Sequence, residues 1–274
     1  MFAISSKYLQ ILSRPFRRRF CQRCDISSAT GGRILAAIDF DKTIVQQDSY
    51  LVVSQLLPSA QRAKELQKLI PKCGWLNFIS RVLAELHGEH KICSPAVGKC
   101  VRRMEAVPGM LRVLRRLAIN PAVDLCIVSD ANSFFISEWL TEYGIEDIFA
   151  SVYTNPAIVQ TDGEVLVLPY DEQPDCDLCP ENLCKGAVMQ ELIFSGSYDR
   201  VIYIGDSCND LCAMQQLREG DVGCIRRGYE LHEEMSTADG HGKSMLSCSI
   251  ITWRDGHELE ERLTGSEWMV RPGY

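Results

Sequence analysis

Two aspartates stand one residue apart, Asp39 and Asp41 in "DFDKTIV", directly after the short apolar run "RILAAI". That spacing lets both carboxylates flank one small site while the backbone N–H groups between them face a ligand. The first carboxylate can attack as a nucleophile. The second can deliver a proton and later withdraw one. Further along, Ser129 offers a hydroxyl and Lys185 a fixed positive charge, and "GDSCND" offers Asp206 with Asp210 one helical turn on. A bound phosphate is anionic, so carboxylates gathered around it need a cation. Mg²⁺ held by one or two carboxylates and by phosphate oxygens suits that need. Taken singly, each feature has an ordinary reading: a turn, a cap, a solvated lysine. Their order along the chain, each on its own strand–helix unit, is what points to phosphoryl chemistry.

The elements that must position these groups follow from hydrophobic patterning. "RILAAIDFD" reads as a buried strand ending at Asp39. From about residue 48 to 104 the pattern turns helical, in "SYLVVSQLL", "AQRAKELQKLI" and "GWLNFISRVLAELH", separated by Pro58 and Pro71. Pro108-Gly109 opens a helix, "MLRVLRRLAI". "DLCIVSD" is a strand ending at Ser129-Asp130, with a helix from about Asn132. "ASVYTNP" is a third strand, and "IVQTDGEVLVLP" a hairpin turning at Thr161-Asp162-Gly163. A helix over "NLCKGAVMQELIF", with Pro180 and Glu181 in its first turn, leads to the strand "RVIYIGD". A helix, the strand "DVGCI" and a late strand–helix, "SCSIITW" and "GHELEERL", complete the pattern. Strands alternating with helices imply an α/β, doubly wound parallel sheet with helices on both faces. Ligands bind such sheets beyond the carboxyl ends of the strands. Asp39, Ser129 and Asp206 all fall at such ends.

The motifs "DFDKTIV", "SDANSFFI", "TNP", "CPENLCKG", "YIGDSCND" and "RRGY" resemble those of the haloacid dehalogenase-like (HAD) phosphatases. The match is closer to the phosphoethanolamine/phosphocholine and pyridoxal phosphate phosphatases among them, over roughly residues 34–263. The resemblance implies a HAD-like core over 34–47 and 105–274, with a small helical cap inserted at 48–104. It makes Asp39 the nucleophile that becomes phospho-aspartyl and Asp41 the general acid and then base. Thr43 steadies the loop, while Ser129 and Lys185 hold the phosphate. Mg²⁺ sits on Asp39, the Asp41 backbone carbonyl and Asp206, with Asp210 in support. Asp41-Lys42-Thr43 also begins the phosphorylation motif of ion-pumping ATPases, but Ile44-Val45 and the lack of a membrane span argue against that frame.

For the substrate, the resemblance implies a small phosphorylated metabolite. Asp130 is a candidate contact for a cationic head group. Where the relatives carry an aspartate eleven residues beyond the nucleophile, this chain has Tyr50, whose ring could meet a quaternary ammonium or stack on a pyridine. Phosphoethanolamine or phosphocholine is the expected substrate, with pyridoxal phosphate as the alternative. A phosphotransferase, and a non-catalytic phospho-ligand binder on the same fold, are the competing classes.

Composition bounds the remainder. The chain has 274 residues, 46% hydrophobic and 24% charged, which is ordinary for a globular protein. No apolar run approaches the roughly 18–20 residues that span a bilayer. Residues 1–33 carry seven basic groups against one acid, a net of +6. The chain as a whole is −7, so the remainder holds −13. An acidic body repels nucleic-acid phosphates, and no nucleic-acid role is expected. The Arg-rich extension has the composition of a mitochondrial presequence or a plain basic tail. The expected location is intracellular, mitochondrial if the extension is a presequence and otherwise cytoplasmic. Thirteen cysteines, several inside apolar runs, read as reduced thiols rather than a disulfide frame. Cys176, Cys179 and Cys184 crowd just before Lys185. They read either as packed or redox-sensitive thiols, or as three ligands of a structural zinc that still wants a fourth.

Overall fold

The computed structural model describes residues 32–68, 70–236 and 246–265, and of residues 71–73 the backbone only. The expected targeting role of the basic extension lies outside the described residues. The strands are β1 (Ile34–Ile38), β2 (Val123–Asn132), β3 (Ser151–Asn155), β4 (Ala157–Val159), β5 (Val165–Val167), β6 (Arg200–Gly205), β7 (Val222–Arg226) and β8 (Ser249–Trp253). Six of them form one sheet in the order β3-β2-β1-β6-β7-β8, every neighbouring pair parallel, and β4 and β5 form an antiparallel hairpin. The helices are α1 (Ser49–Ser54), α2 (Ala60–Gln67), α3 (Ile70–Gly88), α4 (Ser94–Arg102), α5 (Met110–Ile119), α6 (Ser133–Glu142), α7 (Lys185–Gly196), α8 (Cys208–Met214), α9 (Glu230–Ser236) and α10 (Gly256–Gly265).

The period-2 alternation of a strand sends its side chains to opposite faces, and two cores result. Ile34, Ala36, Ile38, Ile202 and Ile204 pack with apolar residues of α5, α6 and α10. Leu35, Ala37, Val201 and Tyr203 pack with those of α7, α8 and α9. Helix α5 buries Met110, Val113, Leu114 and Leu117, the spacing of one helical stripe. From β1 the chain winds outward through β2 to β3, then returns across β1 to β6 and winds the other way. The strand order therefore reverses between β1 and β6, and the crevice beyond their carboxyl ends is the expected ligand site of such a fold.

Helices α1–α4 continue the first core without a break, through Tyr50, Val53, Leu66, Phe78, Val82 and Val97. The chain enters and leaves this block side by side. Val45 and Ala106 form an antiparallel bridge, the Gln46 N–H donates to the Glu105 carbonyl at 2.9 Å, and the Val107 N–H donates to the Ile44 carbonyl at 2.9 Å. The hairpin also touches the block. β5 packs on α3, the Ser94 N–H donates to the Gly163 carbonyl at 2.8 Å, and His87 Nε2 lies 3.4 Å from the Asp162 carbonyl oxygen.

Three local expectations are corrected. Helix α7 begins at Lys185, so Pro180 and Glu181 lie outside its first turn. Cys184 is the N-cap, its sulfur accepting from the Ala187 N–H at 3.4 Å. β2 runs on to Asn132 with a register irregularity after Val128, and Asn132 caps α6 by accepting from the Phe135 N–H. The helical stretch holds α4, opened by Pro95, beyond the three helices read from patterning. Within α3 the backbone leaves helical geometry at Gly74, where φ is 72°.

Candidate active site

Asp39 follows β1 in the crevice, its N–H bonded to the Ile204 carbonyl of the neighbouring strand at 3.0 Å. Its carboxylate is buried. Oδ1 accepts from the Phe40 N–H at 2.7 Å and lies 3.1 Å from Lys185 Nζ. Lys185, at the first position of α7, is fully buried, and its Nζ also lies 2.7 Å from Asp210 Oδ1. Burial pulls the ammonium toward neutrality, but Asp210, Asp39 and Asp130 outweigh it and hold it charged above its usual range. Burial pushes Asp39 up to about 7; Lys185 and Ser129 oppose the shift, and Asp210 and Asp130 add to it.

Asp210 holds the set together. Oδ1 accepts from Lys185 Nζ and from the Tyr203 hydroxyl, both at 2.7 Å. Oδ2 accepts from the N–H groups of Asp206 and Ser207 at 2.8 and 2.9 Å, and from the Ser207 hydroxyl at 3.2 Å. The Ser207 bond is half of a capping box at the start of α8. Gly205 makes the arrangement possible: a Cβ there would fall 2.3 Å from Asp210 Cγ. Asp206 Oδ1 accepts from the buried Thr43 hydroxyl at 3.1 Å, which ties the first loop to the β6 end. Burial, then Asp210 and Asp39, raise Asp206 well above the ordinary carboxylate range.

Carboxylate oxygens of Asp39, Asp206 and Asp210 lie within 4.8 Å of one another. Three buried carboxylates against one ammonium leave an excess of negative charge, and hard oxygen ligands of this kind fit Mg²⁺. Because Asp210 already accepts from five donors, Asp39 and Asp206 are the carboxylates better placed to take a cation.

Asp41 is oriented away from this trio by α1. Its oxygens accept from the Ser49 N–H at 3.0 Å and the Ser49 hydroxyl at 2.8 Å. Burial, then the charge of Asp48, raise its carboxyl well above the usual range, with Ser49 opposing. A carboxyl raised in this way can donate a proton to a leaving group.

Asp130 is half-buried, with its carboxyl raised by burial. Its backbone carbonyl accepts from the Tyr50 hydroxyl and from Asn155 Nδ2. Tyr50 does not offer the open face expected of a head-group contact. It is 2% exposed, and its ring packs against Trp75 and Phe135. Its place is beside the Asp130 end of β2.

Several residues of the site carry no chemical signal in the sequence. Ser49 orients Asp41 and Tyr203 supports Asp210. Asn155 bonds the carbonyls of Asp130 and Ala131, and its Oδ1 accepts from Asn182 Nδ2 at 3.1 Å, linking the "TNP" and "CPENLCKG" stretches. Arg226, at the end of β7, donates to the Lys42 carbonyl while its guanidinium covers the Tyr229 ring at 4.2 Å.

The family described as "Putative Phosphatase" matches residues 34–266. The chain belongs to this family. Among its relatives, mouse "Pyridoxal phosphate phosphatase PHOSPHO2" is 33% identical over 237 residues, covering 84% of this chain and 97% of the relative. An Arabidopsis thaliana "Thiamine phosphate phosphatase-like protein" is 33% identical over 239 residues, covering 84% and 94%. The family fold is shared more widely. A solved structure titled "Phospho-Aspartyl Intermediate Analogue of Phosphoserine phosphatase" superposes with a TM-score of 0.58 at 16% identity, covering 85% of this chain and 99% of that one. No helix among the described residues is long and apolar enough to cross a membrane.

Proposed function

We propose that the chain hydrolyses a small phosphomonoester through a phospho-aspartyl intermediate on Asp39. The observation that carries this reading is the buried Asp39–Lys185–Asp210 chain beside Asp206, at the point where strand order reverses. In the first half-reaction an Asp39 oxygen forms a bond to phosphorus, and the bond from phosphorus to the ester oxygen breaks. Asp41, protonated, gives its proton to that departing oxygen. In the second, Asp41 takes a proton from water as the water oxygen bonds to phosphorus, and the Asp39–phosphorus bond breaks to release phosphate. Lys185 and Ser129 hold the phosphoryl oxygens by fixed charge and hydrogen bonding, as phosphoryl transfer requires. Mg²⁺, held by Asp39, the Asp41 carbonyl and Asp206, would offset the charge of the phosphate. Helices α1–α4 serve as a cap that limits entry to small molecules and excludes water.

For the substrate, the half-buried Asp130 is the candidate partner for a cationic nitrogen at the other end of a phosphomonoester, since Asp48 is paired with Lys42 and Asp41 serves as the acid. Pyridoxal phosphate and thiamine phosphate, the compounds in the relatives' names, both carry such a nitrogen in an aromatic ring. Phosphoethanolamine and phosphocholine carry it on a short aliphatic arm. With Tyr50 buried, its ring offers neither the ammonium contact nor the pyridine stacking expected of it, and the compound in the 33%-identical mouse relative's name puts pyridoxal phosphate first. The test is kcat/KM for these four esters and for sugar phosphates, with and without Mg²⁺, alongside Asp39→Asn. Equal values across the panel would sink the substrate preference. Near-normal turnover by Asp39→Asn would sink the mechanism.

A further inference from the structure

The loop before α7 and the second turn of α8 bring four sulfurs together. Cys176, Cys179 and Cys184 come from the loop and Cys212 from α8, and all four Sγ atoms lie within 4.8 Å of one another. Cys212 Sγ is 3.5 Å from Cys176 Sγ and 3.8 Å from Cys184 Sγ. A tetrahedral zinc site with Zn–S bonds of about 2.3 Å requires sulfurs about 3.8 Å apart. We propose that Cys176, Cys179, Cys184 and Cys212 bind one structural zinc ion as a closed tetrathiolate site.

The surroundings are built for sulfur anions. The Lys185 N–H donates to Cys179 Sγ and the Ala187 N–H to Cys184 Sγ, each at 3.4 Å, so the amides that open α7 point at the sulfurs. Such donors stabilise thiolate charge, as second-shell partners do at metal centres. Gly186 gives the helix room: a Cβ there would fall 2.5 Å from Cys212 Sγ. Gln173 braces the loop from behind. Its Oε1 accepts from the Cys176 N–H at 2.9 Å, and its Nε2 donates to the carbonyls of Cys179 and Pro180 at 3.2 and 2.8 Å. Without an ion, four thiols crowd together, and the neighbouring Cys212 and burial push the Cys179 thiol up. On binding, the four S–H bonds break heterolytically, four protons pass to solvent, and four Zn–S bonds form, with no change of oxidation state. The spacing C-x2-C-x4-C with a remote fourth ligand is of the structural-zinc kind, and four thiolates leave no open position for a substrate. The site lies beside both ends of the Lys185–Asp210 pair, because Cys184 precedes Lys185 and Cys212 follows Asp210 by two residues.

The inference does not depend on the phosphatase reading, since its readouts are metal content and spectrum. The full chain, purified without chelator from zinc-supplemented cells, is expected to hold about one zinc per chain by elemental analysis. A mercurial thiol reagent should release the ion, four S–Hg bonds replacing the four Zn–S bonds, and the freed zinc then titrates with a chelating indicator. Cobalt grown into the site should give visible bands of tetrahedral Co²⁺ and a near-ultraviolet sulfur-to-cobalt charge-transfer band, which carboxylate sites cannot produce. Cys176→Ser and Cys212→Ser should each lower zinc to a small fraction of the wild-type content. The proposal is overturned if the active wild-type chain holds no stoichiometric zinc. It is equally overturned if both variants keep their zinc, or if the native chain loses a Cys176–Cys212 or Cys184–Cys212 disulfide on reduction.

Discussion

Replacing Asp210 by asparagine changes one atom and keeps the shape of the side chain, yet the structure predicts a severe effect. The carboxylate serves five donors: Lys185 Nζ and the Tyr203 hydroxyl on Oδ1, and the N–H groups of Asp206 and Ser207 with the Ser207 hydroxyl on Oδ2. An amide has one acceptor oxygen, so whichever way the new side chain turns, its NH₂ faces at least two donors. At least two bonds to a charged acceptor are lost, each worth about 1.5–3 kcal/mol, for a total of about 3–6 kcal/mol. At about 2–4 °C per kcal/mol for a domain of this size, the melting temperature should fall by about 6–24 °C. Turnover should fall too, since Lys185 loses its nearer anchor, and about 1.4 kcal/mol of lost phosphate stabilisation costs about tenfold in rate. Differential scanning calorimetry and p-nitrophenyl phosphate hydrolysis in excess Mg²⁺ measure both. Tyr203→Phe, which removes one donor from the same oxygen, should cost about 1 kcal/mol alone and less in the Asp210→Asn background, because the two share a network. An Asp210→Asn chain that melts within about 2 °C of wild type, or strict additivity in the double variant, would refute this account.

Ser49→Ala removes one of the two Ser49 bonds that lower the Asp41 carboxyl, so that carboxyl should titrate higher. Because the acid step needs Asp41 protonated, the alkaline limb of the kcat/KM profile should move up by about one pH unit, and a downward shift would contradict the sign. Tyr50→Phe tests positioning against substrate contact. Losing the hydroxyl bond to the Asp130 carbonyl should cost about 1 kcal/mol of stability with KM changed less than about twofold, whereas a tenfold rise in KM, about 1.4 kcal/mol of lost binding, would make Tyr50 a head-group contact after all. Asn155→Ala removes bonds to the Asp130 and Ala131 carbonyls, the Tyr170 N–H and Asn182 Nδ2, of which the Asp130 carbonyl keeps Tyr50 and the Tyr170 N–H keeps the Asn182 carbonyl; it should lower stability by about 1–3 kcal/mol in urea unfolding, and a neutral effect would mean the asparagine network is not structural.

The acid pairs, the serine and the lysine are legible because each sits at or near the end of a strand or the start of a helix that its apolar run marks, and such an end is a position in the fold as well as in the sequence. Contact across long separations is what patterning cannot show. Cys212 lies 28 residues beyond Cys184 on another helix, so the fourth sulfur stays unassigned from sequence. Ser49 and Tyr203 look like an ordinary cap and an ordinary strand aromatic until Asp41 and Asp210 are placed beside them. The start of α7 reads too early because Pro180 and Glu181 favour a first turn locally. In the fold Gln173 holds the Pro180 carbonyl and Asn182 bonds to Asn155, and Cys184 caps the helix with sulfur. Tyr50 reads as an exposed face because its neighbours on α3 and α6 are distant in sequence.

The double attachment of α1–α4 has a mechanical consequence. At the Val45–Ala106 bridge the two connecting segments are bonded into one strap, and a body held by one strap is free to swing. The hairpin tip at Gly163 fastens the same body a second time through Ser94. Between the two lies the packing of α4 on α6, with Arg102 paired to Glu138, so the block is held along a seam rather than at a hinge. Opening would have to part that seam, and cutting the hairpin fastening alone would free only its far edge.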